Sequence, residues 1–502
     1  MVSPYVRTVK TASGARAVQI VWSKRGGKPD LQQVGSAHTD ADYEALRLKA
    51  REIIAQGQGE LDLGLVVPPQ GVVPITSSRM GVLWDLLALA YQRLGFEALG
   101  GQSDGDVFRR LVLARIIEPT SKLDSIRVLE EAGLDAPSYA TIKRRLPTYA
   151  RRDFRSQIAA LNAEHVNLGP STLVLYDSST LYWETHQGDG FREPGFSKER
   201  RLEPQITLGL LVDGDGFPLM IEAFEGNRAE TATMLPVIRS FMAAHRLADV
   251  VIVADAGMVS DTNKRQLEAE GLSFILGAKL PRIPYVVNAW RAQNPGREIP
   301  DGHVFTQPWP AAPSDRRRDQ VFYYRYSHDN ARRTLHGIDQ QVAKAKRAIA
   351  GKAPVKRNRF ITLTGGQKSL NDALEAKARG LAGLKAYVTN LVDWPPEQII
   401  AAYHQLYQVE KSFRMSKSDL QARPVYAHQR DSIEAHLTIV FAALAIARWL
   451  ETATGWSIRK IVRTLRRYRT IEIQLGTHTI TAADPVPPKI AELITQIQSA
   501  LN

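Results

Sequence analysis

Apolar residues recur along this chain in two periods, and the changes from one to the other divide it. Between 80 and 165 they fall at helical spacing, as in Val82, Leu83, Leu86, Leu87 and Ala90. Another helical run covers 121–131, Gly133 follows, and Ser138 stands as the N-cap of a helix over 140–146. From 171 to 278 the pattern changes. Strands are expected at 172–176, 205–212 and 217–224, the last two joined by the hairpin turn Asp213-Gly214-Asp215-Gly216. A helix over 231–245, a strand over 250–254, a helix over 260–270 and a strand over 273–276 follow, and this order predicts a mixed α/β sheet.

The flanks read differently. Residues 5–9 and 17–21 predict short strands about a turn at Gly14, with a second turn at Arg25-Gly26-Gly27-Lys28. A helix is expected over 41–57, and 58–79, with Pro68, Pro69 and Pro74, reads as a linker. Residues 280–384 interrupt the α/β pattern, and the alternation of aromatic and basic residues over 321–326 predicts a strand within them. A strand over 385–390 and two long helical stretches, 396–418 and 431–451, resume the pattern before a basic segment, 459–469, and a proline-interrupted tail. The expected fold class is α/β: a mixed sheet with helices on both faces, interrupted by a β-rich basic insertion and preceded by an N-terminal β then helical region. The expected parts are 1–79, a small β/helix region with its linker; 80–165, helical; 171–279 with 385–451, the α/β core; 280–384, the insertion; and 452–502, a basic tail.

Charge adds a partner to this picture. The chain carries 65 Lys and Arg against 52 Asp and Glu, a formal net charge of +13, which suits a polyanion such as DNA or RNA. The excess is local: 316–359 holds 13 basic residues and 3 acids, a difference of 10. In the helical region, Lys143, Arg144 and Arg145 follow the Gly133 turn on the second of two helices, which suggests a helix-turn-helix, with a plain helical hairpin as the alternative. There is no cysteine, which excludes disulfides, thiolate metal sites and cysteine nucleophiles. Residues 1–10 lack the apolar core of a signal peptide, and the longest apolar stretch, 439–447, is about half of the ~20 residues a bilayer span requires. The expectation is a cytoplasmic protein with no membrane segment.

Three acids stand out. Asp177 follows the strand 173–176 and Asp255 the strand 250–254, so each carboxylate is expected at a strand's mouth, where α/β sheets place their ligands. Each alone reads as a turn residue sooner than as a ligand; neighbouring parallel strands would bring the two together. Glu410 lies in a helical stretch in which Tyr403, Glu410 and Lys417 are spaced by seven, with Arg414 four residues after Glu410, so all fall on one stripe. That stripe fits either a metal-binding acid flanked by phosphate-gripping cations or an exposed face of i,i+4 ion pairs. Carboxylates from two strand ends and a helix meet the needs of Mg2+ and of phosphodiester cleavage by two ions about 4 Å apart.

As a set, these elements resemble the RNase H-like core of DDE-type bacterial insertion-sequence transposases. They are similar to the branch whose third acid lies in a Tyr-x2-Arg-x3-Glu-x6-Lys signature and whose fold carries a β-rich insertion before it. The signature falls on Tyr403, Leu406, Glu410 and Lys417; Leu406 departs from the family's Arg, whose phosphate contact Arg414 could supply. The first two acids match Asp177 in Leu-Tyr-Asp-Ser-Ser and Asp255 in Val-Ala-Asp-Ala-Gly, and Glu225-Gly226-Asn227, with Glu230 after it, resembles the motif following the family's hairpin.

The resemblance covers roughly 170–450. It implies that Asp177, Asp255 and Glu410 hold two Mg2+ (or Mn2+) ions and cut and rejoin double-stranded DNA, the element's ends and a target, in a homodimeric synaptic complex. It implies that Tyr403, Arg414 and Lys417, with Lys143, Arg144 and Arg145, bind DNA, and that a DNA hairpin at the element's end is an intermediate of related enzymes. Trp290 or Trp309 would then stack on a flipped base, unless both are core residues. The alternatives are a catalytically silent DNA-binding regulator and a structure-specific nuclease. Gly365-Gly366-Gln367-Lys368-Ser369 lacks the glycine spacing of a P-loop, so no nucleotide cofactor is expected, and His404 and His436 read as helix-face residues.

Overall fold

The computed structural model of the chain describes all residues except 1–3, 12–13, 26–27, 57–73, 169–171, 184–186, 196–202, 246–249, 259, 316, 353, 355–357, 365–366, 423–426, 476–477 and 501–502. Most of the expected linker, two glycines of the Arg25–Lys28 turn and those at 365 and 366 therefore lie outside the described residues. The chain forms two compact units, Met1–Arg79 with Arg469–Asp484, and Met80–Tyr468 with Pro485–Asn502.

In the first unit β1 (Tyr5–Lys10), β2 (Arg16–Arg25) and β3 (Lys28–Ala37) form an antiparallel meander. Helix α1 (Asp40–Gln56) packs on it, its Ala50 meeting Val18 and Ile20 of β2, which flank the more polar Gln19 as on a half-covered sheet. A second sheet joins β4 (Ile75–Arg79) to the hairpin of β15 (Thr470–Leu475) and β16 (His478–Ala483), numbered along the chain. The end of the expected linker and part of the expected tail are therefore paired strands, a pairing across nearly 400 residues that no local pattern encodes.

The second unit opens with α2 (Gly81–Arg93), α3 (Gly101–Ile117), α4 (Ser125–Glu131), α5 (Tyr139–Ala150) and α6 (Arg152–His165). Ser138 caps α5 as expected, accepting from the Thr141 N–H. These helices share one apolar core with the rest of the unit, and α2, α3 and α5 pack against α14 (Arg430–Thr454). Helix α14 is buried on every side from Ala435 to Leu450, and most of that stretch is apolar, as suits a helix at the centre of a core. It is long and apolar enough to cross a membrane, but 94% of its most apolar window is buried inside the protein. The expected apolar stretch of 439–447 is thus only the middle of a central helix.

The α/β region continues with β5 (Thr172–Tyr182), β6 (Gln205–Asp213), β7 (Pro218–Glu225), α7 (Met234–His245), β8 (Val250–Ala254), α8 (Asp261–Ala269) and β9 (Ser273–Ala278). Next come α9 (Tyr285–Gln293), β10 (Val304–Trp309), β11 (Gln320–Tyr326), α10 (His328–Ile349), β12 (Ile361–Thr364), β13 (Gln367–Leu370), α11 (Asp372–Gly380) and β14 (Leu384–Thr389). One eight-stranded sheet runs β10-β11-β14-β9-β8-β5-β6-β7, with parallel pairing only between β9, β8 and β5. Helices α12 (Pro396–His404) and α13 (Leu406–Arg414) pack on these strands, followed by a π turn (Met415–Asp419), then α14, α15 (Ile458–Leu465) and α16 (Pro488–Ser499).

Two expectations change here. The insertion does not interrupt the sheet: β10 and β11 extend it, because β11 pairs antiparallel with β14 from Val321↔Thr389 to Tyr326↔Leu384. Nor is the insertion mainly β. Much of its basic stretch is α10, a 22-residue helix that buries Ile338, Val342 and Ala345 at helical spacing and turns its cations outward. Gln367, Lys368 and Ser369 of the glycine-rich motif lie on β13, paired with β12.

Beneath the π turn, Arg115, Lys122 and the buried imidazole of His436 approach one another. His436 is therefore not a surface helix-face residue. Its ring donates to Ala422 O at 3.3 Å, and burial, aided by Arg115 and Lys122, pushes its pKa well below the ordinary value. Burial, with Arg115 beside it, lowers Lys122 from 10.5 to about 8. Below pH 8 both folded and unfolded chains carry the proton and the fold bears the full cost of the buried charge. Between about 8 and 10.5 the unfolded chain holds more protons, so stability rises with pH. Lys122→Met is expected to stabilise the protein at pH 7 by on the order of 3 kcal/mol, with the gain fading above pH 10. Urea unfolding midpoints at pH 7 and 10.5 check this, and an equal gain at both would rule it out.

Candidate active site

Strand β5 pairs in parallel with β8 in a register that ends at Tyr176↔Ala254. The next residues, Asp177 and Asp255, therefore stand side by side at the end of the ladder, with strand axes ~4.8 Å apart. Asp177 is not beyond its strand, as expected, but within it: β5 runs on to Tyr182 because its other neighbour, β6, stays paired through Tyr182↔Gln205. Its Oδ1 accepts the Ser178 N–H at 2.8 Å.

The alternation of β5 sorts side chains to two faces. Tyr176 is buried and its hydroxyl donates to Thr233 Oγ1 at 2.9 Å beside α7. Asp177 and Ser179 point the other way. There Lys417, on the π turn, donates to Ser179 Oγ, and α13 packs against β5. Burial pushes the Tyr176 hydroxyl pKa far up, with Asp177 and Glu230 adding to it, so Glu230 lies within electrostatic reach of the aspartate strand. In the motif before it, Gly226 is fixed by backbone crowding: a Cβ there would lie 2.0 Å from Gln205 O and 2.2 Å from Glu193 O.

The stretch 396–418 is not the single helix expected. It breaks at Gln405 into α12 and α13, and the turn after Arg414 widens to π geometry. Tyr403, Glu410 and Lys417 thus sit on three consecutive pieces rather than on one regular stripe. The cause is tertiary. Tyr403 on α12 donates to Asp255 Oδ1 at 2.7 Å, and Ser412 on α13 donates to Gly216 O at 2.7 Å. The buried Arg448 of α14 reaches the same carbonyl at 3.1 Å, which locks α13 to the β6–β7 turn. Burial pushes the Tyr403 hydroxyl pKa far up, and the Asp255 charge raises it further, so the proton stays on Tyr403 as a donor. Gly277 makes room for this contact, since a Cβ there would lie 2.5 Å from the Tyr403 hydroxyl.

Glu410 is exposed on α13 with Lys411 and Arg414, while Val409, Ser412 and Phe413 turn inward. It is near enough to raise the Tyr403 pKa further. Leu406, where an arginine was expected, packs against the core. Among the described residues no three Asp, Glu or His side chains are gathered so as to hold a metal ion. The sheet unites two aspartates, and Tyr403 donates to one oxygen of Asp255. The donor set is still all oxygen, and Mg2+ takes one or two protein carboxylates, with waters and substrate phosphate oxygens completing its shell. The aspartate pair fits that requirement.

Of the cations expected to meet DNA in the helical region, Lys143 and Arg144 are exposed on α5, but Arg145 is committed within the protein. It pairs with Asp104 and donates to Ser103 Oγ at 2.8 Å, tying α5 to α3. Trp290 packs in a small core with Val287 and Phe305, whereas Trp309 is 48% exposed and so is not the core residue its alternative reading made it. Ser179 and Gly277 were missed from the sequence. Ser179 lies two residues after Asp177 on a strand, hence on the same face, and a glycine inside a strand signals close approach.

Residues 168–446 match the family described as "Transposase DDE domain". Among curated proteins nothing matches. Among solved structures, a piggyBac transposase synaptic complex with hairpin DNA, determined by cryo-EM, aligns at 11% identity and a TM-score of 0.40, covering 77% of this chain and 79% of that one.

Proposed function

This chain belongs to the transposase DDE-domain family, and from that premise we propose that it binds the terminal inverted repeats of its own insertion sequence and catalyses cut-and-paste transposition on an RNase H-like core. The observation that carries the reading is the register of β5 and β8, which sets Asp177 beside Asp255, with Tyr403 and Lys417 delivered to the same strand ends by α12 and the π turn.

Asp177 and Asp255 would hold the divalent ions, two Mg2+ or Mn2+, with Glu410 on α13 as the third carboxylate. Bound there, the ions supply the charge that activates the attacking oxygen and stabilises the leaving one. Water is the nucleophile in strand cleavage and the freed 3′-OH in strand transfer. Tyr403 orients Asp255, while Lys417 and Arg414 hold phosphates of the substrate strand. Lys143 and Arg144 contact the element's end, and cutting both ends takes two copies of the chain in the synaptic complex, acting in the cytoplasm on nucleoid DNA.

Incubation with Mg2+ and duplexes carrying the element's ends, with cleavage positions mapped, tests this reading. Cuts at the element boundaries and joining of pre-cut ends to a target support it. Binding without any cut supports the second reading, a catalytically silent DNA-binding derivative. Tyr403→Phe removes one hydrogen bond to a carboxylate. It is expected to slow single-turnover cleavage about tenfold, the equivalent of ~1.4 kcal/mol. An unchanged rate at saturating Mg2+ would remove Tyr403 from the site.

A further inference from the structure

Between α15, the π turn and the end of α3 lies a cleft of about 480 Å3. Ile458, Ile461, Val462 and Leu465 of α15 recur at helical spacing and are buried, which turns Arg459, Lys460 and Arg463 outward. Arg459 ties α15 to the π turn, with its Nε 2.7 Å from Asp419 Oδ1 and its Nη2 donating to Ser418 O at 2.6 Å. That same turn carries Lys417 to Ser179, two residues from Asp177. The cleft is thus built on the segment that forms one wall of the aspartate site.

Its charge is one-sided. Arg459, Lys460, Arg463 and Arg466 line it against one acid, Asp419. Arg466 also approaches Glu118 at 3.8 Å, and the Lys460 ammonium sits 3.5 Å from the centre of the Trp456 ring. Among the described residues Arg463 and Arg467, both exposed, carry no ion pair. Arg463 stands on α15 at the cleft and Arg467 in the turn just past the helix, four residues on; exposed cations spaced in this way and left without acids suit a row of phosphates better than a single small anion.

We propose that this cleft is a second phosphate track, which grips the backbone of the same DNA duplex whose scissile bond lies at Asp177 and Asp255, with Arg463 and Arg467 as its outer contacts. The proposal rests on the transposase reading of the aspartate site and adds to it a grip outside the catalytic segment. It assigns a role to the basic segment 459–469, which the catalytic chemistry leaves unused.

Fluorescence anisotropy of the full chain on an element-end duplex, across salt concentrations, provides the test. Each phosphate contact adds about 0.9 to the slope of log affinity against log salt. Arg463→Gln/Arg467→Gln is expected to reduce that slope by about two and to weaken binding about tenfold or more, while Arg463→Lys/Arg467→Lys retains most of the slope because the positive charges remain. A slope and affinity unchanged in the glutamine variant, with its melting temperature preserved, would overturn the track. A wild-type chain that fails to cut in Mg2+ would instead count against the catalytic reading, because binding is read separately from cleavage.

Discussion

Asp177→Asn and Asp255→Asn should each lower Mg2+-dependent cleavage by about a thousandfold, ~4 kcal/mol of transition-state stabilisation, while DNA binding is retained. The substitution removes charge and almost nothing else. The Ser178 N–H that Asp177 Oδ1 accepts can be accepted by an asparagine oxygen, and the Tyr403 hydroxyl can donate to an asparagine at 255 as it does to the carboxylate. The strands keep their register, since the ladder through Tyr176↔Ala254 uses only backbone. What disappears is the anionic donor pair that a hard divalent ion requires. Removing one negative charge from a chain of net charge +13 does not weaken its attraction for DNA. Gel-resolved single-turnover cleavage, with anisotropy on the same duplex, separates the two effects. Cutting by either variant at the wild-type rate would dismiss the aspartate pair as the catalytic centre.

The largest expected effect on stability lies elsewhere, where α6 meets α14. Arg155, buried on α6, donates to Glu434 Oε2 at 2.6 Å, to Glu434 O at 3.0 Å and to Thr438 Oγ1 at 3.2 Å. Arg155→Met leaves a carboxylate and a carbonyl without this donor in a nearly dry position, and breaking such a pair costs about 3–5 kcal/mol. Arg155→Met/Glu434→Leu removes both charges and should recover much of the loss, because the desolvation cost of the pair disappears with it. Denaturant midpoints for the two single variants and the double variant complete the cycle. A single arginine variant as stable as the parent would show that α6 is held by apolar packing alone.

The β6–β7 hairpin was legible because Asp213-Gly214-Asp215-Gly216 can do little except turn, and the cap of α5 because Ser138 offers its oxygen to a helix N-terminus. The break at Gln405 was not legible. No proline or glycine marks it, and it exists because Tyr403 and Ser412 are each drawn to a different strand end. The commitment of Arg145 to Asp104 was equally hidden, since the partners are 41 residues apart and a basic helix face looks alike whether it meets an acid or a phosphate.

What the sequence determined by itself were the elements of local period: the strand before Asp177, the strand before Asp255, the hairpin between them and the amphipathic helices, because side-chain periodicity acts over a few residues. It determined also which groups could do chemistry, two strand-borne aspartates, a helical glutamate and a large excess of cations. Only the tertiary structure decided that β10 and β11 join the central sheet, that β4 finds its partner almost 400 residues away, and that two of the three acids are set side by side while the third stays on the facing helix. Pairings of that kind are selected by the burial of whole faces and by the closing of long loops, which depend on the assembled chain and not on any stretch of it.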